Sequence, residues 1–65
     1  MIRVNDEPAD HDVGMTVAGL LRDRGYAAVM VAVWIDDEMV PRGAYEATPV
    51  RDGADVKIVL MAAGG

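Results

Sequence analysis

Six consecutive residues, Met30-Val31-Ala32-Val33-Trp34-Ile35, are apolar and rich in β-branched and aromatic side chains. Such a run fits a pleated surface covered on at least one face, and it reads as a central strand. It is closed by the acidic turn Asp36-Asp37-Glu38 and resumes at Met39-Val40, where Pro41 ends the ladder because proline has no N–H to give. In a chain of 65 residues, which buries only about 60% of the surface its unfolded form exposes, one such strand implies one compact core with no cleft between lobes.

The remaining elements follow from local pattern. Ile2 and Val4 alternate with Arg3 and Asn5 in a half-buried strand, and Asn5-Asp6-Glu7-Pro8 is turn chemistry leading to a second short strand near Ala9 to Val13. Thr16 is a good N-cap for a helix carrying Val17, Leu20 and Leu21 on one stripe, with Arg22 and Arg24 in its last turn and Gly25 at the position after the C-cap. Residues 42–49 read as an irregular connection, Asp52-Gly53 as a tight turn, and Val56 to Leu60 as the final strand. One helix covering one face of a mixed sheet of four to five strands makes an α+β fold. The expected core is Val4, Val17, Leu20, Leu21, Val31, Val33, Ile35, Ile58 and Leu60, residues on consistent faces of their elements.

Composition removes most chemistries. There is no cysteine and no serine, so nucleophilic triads and thiolate zinc sites are excluded, and the missing disulfides fit a cytoplasmic protein. Six basic against eleven acidic residues, a formal charge of −5, argue against nucleic-acid binding. No apolar run approaches the roughly 18 residues of a membrane span. The lone His11 sits between Asp10 and Asp12, whose side chains would alternate across a strand, so it is read as an exposed histidine without a metal or other role. The glycines match neither phosphate-loop spacing. Gly19, inside the helix pattern, has no sequence-level reason to be there.

Two features remain. Trp34 alternates onto the face opposite Val33 and Ile35, where Met39, Val59 and Met61 can join it in a partner interface. The chain then finishes Ala62-Ala63-Gly64-Gly65, with nothing bulkier than a methyl after Met61. Extended, Met61 to Gly65 would reach roughly 17 Å past the last strand, enough to thread a carboxylate into another protein's active site. That is the physical design of a carrier: a rigid domain, residues 1–65, with a slender tail over 61–65.

Gly14-Met15-Thr16-Val17 with Leu20-Leu21, then Val31-Ala32-Val33 running to Val40-Pro41-Arg42, then Val50-Arg51-Asp52-Gly53, an apolar strand and Gly64-Gly65, together resemble the ThiS family, the sulfur carriers of thiamine biosynthesis. The resemblance implies the β-grasp, ubiquitin-like fold, with the first and last strands side by side in mid-sheet. It implies a co-substrate rather than an enzyme, holding no cofactor of its own. A ThiF-type adenylating enzyme related to ubiquitin-activating enzymes would use ATP and magnesium to adenylate the Gly65 carboxylate. Sulfur from a cysteine desulfurase or other donor would replace AMP, and a ThiG-type thiazole synthase would consume the thiocarboxylate. Gly64, Ala63 and Ala62 would give the tail passage. The chain departs from the family pattern at Tyr45, where a tryptophan is common nearby, at Ala54-Asp55, where the aspartate usually follows the turn glycine directly, and at Trp34, a position usually small or polar.

Carriers for molybdopterin or cysteine synthesis share this fold and ending, as do ubiquitin-like modifiers that form isopeptide bonds. The short length and the Val40-Pro41-Arg42 turn favour the thiamine branch.

Overall fold

A computed structural model describes residues 1–61. Its hairpins are set by two pairs of left-handed residues. Asn5 and Asp6 have φ of 51° and 69°, and Asp36 and Asp37 have 49° and 69°. Paired positive φ is what a two-residue type I′ loop requires, and short polar side chains tolerate it best. Each loop is therefore only two residues long, and the chain pairs again at once: β1 (Ile2–Val4) with β2 (Glu7–Ala9), and β3 (Val31–Ile35) with β4 (Glu38–Val40).

This corrects the expected second strand, which was placed near Ala9 to Val13 with Glu7 and Pro8 in the turn. Pro8 is accepted within β2 because β2 is an edge strand. Val4 and Glu7 flank the loop as the hydrogen-bonded pair, so at Pro8, opposite Arg3, the missing N–H would have faced solvent. Glu38 likewise belongs to β4, opposite Ile35, rather than to the turn.

The last strand, β5 (Asp55–Leu60), follows a turn in which the Ala54 N–H donates to the Arg51 carbonyl at 3.1 Å, with Gly53 at φ 87°. The sheet order is β2-β1-β5-β3-β4. β5 runs parallel to β1 and antiparallel to β3, so it holds the centre, and β3 lies between β5 and the β4 edge. This mixed five-stranded sheet with one covering helix is the β-grasp architecture.

The helix α1 (Val17–Asp23) begins and ends as its sequence indicates. Thr16 Oγ1 accepts from the Gly19 N–H at 3.1 Å. At the other end Gly25, at φ 80°, gives its N–H to the Arg22 carbonyl while Tyr26 gives its own to Leu21, a Schellman motif. The two remaining first-turn donors go to tertiary partners: Val17 N–H to the Thr48 carbonyl and Ala18 N–H to the Tyr45 carbonyl, both at 3.0 Å. The segment 42–49 is thus a structural brace, not an irregular connection. It opens as a 3₁₀ turn over Arg42–Ala44 and buries Tyr45 to 3% exposure. The Tyr45 hydroxyl donates to the Val31 carbonyl at 3.2 Å, which points past the end of β4 and has no ladder partner on that side.

The core joins Ile2, Val4, Val17, Leu20, Leu21, Val31, Val33, Val40, Tyr45, Val50, Ala54, Val56 and Ile58. Two expected members differ. Ile35 is half-buried, and Leu60 is 63% exposed. Leu60 continues the inward alternation of Val56 and Ile58, but β1 turns away at Asn5, so the corner of the sheet around Leu60 has no strand on that side. Ile2, Val40, Tyr45, Val50, Ala54 and Val56 were not anticipated.

Candidate functional site

β5 leads into the C-terminal tail, and its last turn of pairing shows how the root is held. On the β3 side the ladder runs from Ile35–Val56 to Val31–Leu60 and continues one residue further, where the Met61 N–H donates to the Met30 carbonyl at 2.8 Å. On the β1 side, Arg3 N–H bonds the Ala54 carbonyl and Asn5 N–H the Val56 carbonyl, and then the backbone of β1 leaves. The Asn5 side chain replaces it. Its Oδ1 accepts from the Ile58 N–H at 2.8 Å, and its Nδ2 donates to the Ile58 carbonyl at 3.2 Å. One amide thus supplies both partners the next residue of a strand would have supplied. From the sequence Asn5 is only the polar end of the first strand and the start of a turn, and nothing in an isolated Asn-Asp pair signals the second task.

Four tail positions singled out from the sequence, Ala62, Ala63, Gly64 and Gly65, lie outside the described residues. The four interface candidates lie within them. Trp34 is paired with Met39 on β4 and with Lys57 on β5, and Val59 sits opposite Ala32, one diagonal step away. Trp34 is half-buried, whereas Met39 is 62% exposed and Val59 and Met61 are 48% exposed each. Ala32, between them, is only 6% exposed although it faces away from the helix, so larger neighbours on the open face cover it. The structure therefore gathers Trp34, Met39 and Val59 on the sheet face opposite α1, and alternation carries Met61 to the same side at the root of the tail. Lys57 is the cation within this patch.

His11 is half-buried rather than exposed. Its Nε2 lies 2.7 Å from the Val50 carbonyl, which can only accept, so that nitrogen carries the proton. At the far end of the sheet, the terminal ammonium of Met1 hydrogen-bonds Asp52 and, through that bond and its charge, holds the Asp52 carboxyl below the usual carboxylate range. Arg51 pairs with Asp36 at 2.7 Å. Among the described residues, no three His, Cys, Asp or Glu side chains are grouped to hold a metal ion, and no helix is long and apolar enough to cross a membrane.

The sequence model of the ThiS family matches residues 2–65. The chain belongs to the ThiS family. A crystal structure of a ThiS thiamine biosynthesis protein from Geobacter metallireducens superposes with a TM-score of 0.81 at 33% identity, covering 98% of this chain and 97% of that one. A solution structure of a thiamine biosynthesis protein from the same organism gives a TM-score of 0.77, covering 98% and 86%. Two curated relatives are thiazole synthases. That of Magnetococcus marinus is 34% identical over 64 residues, and that of Paramagnetospirillum magneticum 36% identical over 62. These matches take in 98% and 95% of this ThiS-family chain but only 20% and 19% of the relatives, so the chain spans about one fifth of their length.

Proposed function

We propose that this chain is a sulfur carrier of thiamine synthesis. In this reading the Gly65 carboxylate is its reacting group, and the chain is a co-substrate that leaves catalysis to cytoplasmic partners. A carboxylate with a pKa near 3.5 resists nucleophiles until one oxygen becomes part of a leaving group. An adenylating enzyme using ATP and magnesium supplies that group as AMP and releases pyrophosphate. The terminal sulfur of a donor persulfide, such as that of a cysteine desulfurase, attacks the acyl carbon as AMP departs. A thiol reductant splits the S–S bond of the resulting acyl disulfide, leaving a thiocarboxylate that thiazole synthase consumes in ring formation.

The observation that carries this reading is a family match that extends through Gly64-Gly65. The relatives named thiazole synthase support the thiamine branch over carriers for molybdopterin or cysteine, because in them a segment like this chain is part of a protein bearing that name. The patch of Trp34, Met39, Val59 and Met61 is the docking face for these enzymes. It offers adaptable methionines and one large aromatic anchor beside the origin of the tail, while Ala62, Ala63 and Gly64 let the tail through a narrow channel.

Incubation with ATP, magnesium, the cognate adenylating enzyme and a sulfur donor should raise the intact mass by the difference between one sulfur and one oxygen. Removing Gly65 should abolish the shift and leave the urea midpoint unchanged. An unshifted mass beside an adenylating enzyme shown to be active on another carrier overturns the proposal, and high-mass conjugates would favour the modifier reading.

A further inference from the structure

On the helix side of the sheet, at the same end as the tail root, lies an open groove of about 430 Å³ lined by Ala18, Leu21, Arg22, Tyr26, Arg42 and Glu46 among others. Val31 ties the two places together. It pairs with Leu60 on β5, and its carbonyl receives the hydroxyl of Tyr45, which also lines the groove. The groove brings together two arginines from different elements, Arg22 in the last turn of α1 and Arg42 after Pro41.

What sets these two apart is where they lie. At the Asp55 end of β5 both Arg51 and the Met1 ammonium are paired with carboxylates. At the Leu60 end, Arg22 and Arg42 are exposed, and among the described residues neither has a carboxylate partner, although Glu46 lines the same groove. Arg22 near the helix C-terminus is favoured by the macrodipole, but that does not account for Arg42 facing the same space beside an aromatic ring.

We propose that the Arg22–Arg42 groove docks a carboxylate-bearing segment of the enzyme that adenylates the tail, an inference that rests on the sulfur-carrier reading above. Guanidinium forks pair carboxylates bidentately and so fix orientation, which an apolar patch of adaptable methionines on the opposite face does poorly. With the apolar face on one side of the tail root and the cationic groove on the other, a partner that swallows the tail meets both. Adenylation is the step at which a carrier is first chosen, so a charge-reading contact acts most effectively there. The net charge of −5 repels an acidic segment from most of the remaining surface, which favours docking where two arginines line one groove.

The test compares kcat/KM for pyrophosphate release by the cognate adenylating enzyme across carriers of equal urea midpoint. The double variant Arg22→Glu with Arg42→Glu should lose about 100-fold or more, since each hydrogen bond to a charged partner is worth about 10- to 100-fold. Arg42→Lys should fall between, and Arg24→Glu, which lowers net charge outside the groove by half the double variant's step, should stay within about twofold. Raising salt should slow the wild-type carrier more than the double variant. Wild-type turnover matched by the double variant overturns this inference alone. No wild-type turnover with an enzyme active on another carrier overturns the carrier reading, and this inference with it.

Discussion

Asn5→Ala tests the idea that one side-chain amide completes the sheet beside the tail root. Two hydrogen bonds to Ile58 would be lost, each contributing about 0.5–1.5 kcal/mol net, or about 1–3 kcal/mol together. Alanine must also adopt the φ of 51° that asparagine holds here, at a cost of about 1–2 kcal/mol for a residue with an ordinary Cβ. The sum, about 2–5 kcal/mol, compares with a total stability of about 3–10 kcal/mol for a domain of this length. The variant should therefore lie close to unfolding. Asn5→Gly separates the two parts, because glycine takes the left-handed conformation freely while still removing the amide. In urea titrations followed by Trp34 fluorescence, the order of midpoints should be wild type, then Gly, then Ala, with a common m-value. Amide exchange at Ile58 should accelerate in the Gly variant more than at Val33, whose partners are unchanged. A Gly variant within about 0.5 kcal/mol of wild type, with Ile58 still protected, would falsify the bridging role.

Three further outcomes follow from the same geometry. Gly19→Ala should stabilise by about 0.5–1 kcal/mol, read as a higher urea midpoint, because an added Cβ meets only Thr16 Oγ1 at an ordinary 3.4 Å. Leu60→Ala should cost under about 1 kcal/mol while Ile58→Ala costs about 2–5 kcal/mol, since Leu60 is 63% exposed and Ile58 only 6%; thermal melts of the pair check this. Asp52→Asn should flatten the acid limb of the stability curve. The Asp52 pKa is lowered in the fold, so its contribution is present above the unfolded value near 3.9 and is lost as pH falls below it. Because the pair is exposed, the wild-type and variant curves should also converge at high salt.

What could be seen in the sequence were the features that residue type fixes locally. Thr16, Gly25, Pro41 and Gly53 each mark a boundary that the structure keeps, because capping and positive φ are decided within a few residues. Period-two alternation also set Trp34, Met39 and Val59 on one face. What escaped was whatever depends on distant chain. The brace at 42–49 exists because helix donors at Val17 and Ala18 need carbonyls that only the folded chain brings near. Leu60 follows the right alternation, and its exposure comes from the point at which β1 turns away. His11 shows the same limit in the other direction: its partner, the Val50 carbonyl, is 39 residues further along the chain. The arginine groove was invisible for the same reason, since Arg22 and Arg42, 20 residues apart in sequence, line one groove only in the folded chain.

The position of β5 has a mechanical consequence. An enzyme that grips the tail pulls on a strand bonded along both edges, to β3 through Met61 and to β1 through Ala54, Val56 and the Asn5 amide at Ile58. A load directed along β5 shears several hydrogen bonds at once, so none can open alone, whereas the same load on an edge strand such as β2 would peel them in turn. The last strand is thus held on both edges, and a load along it is shared between β1 and β3.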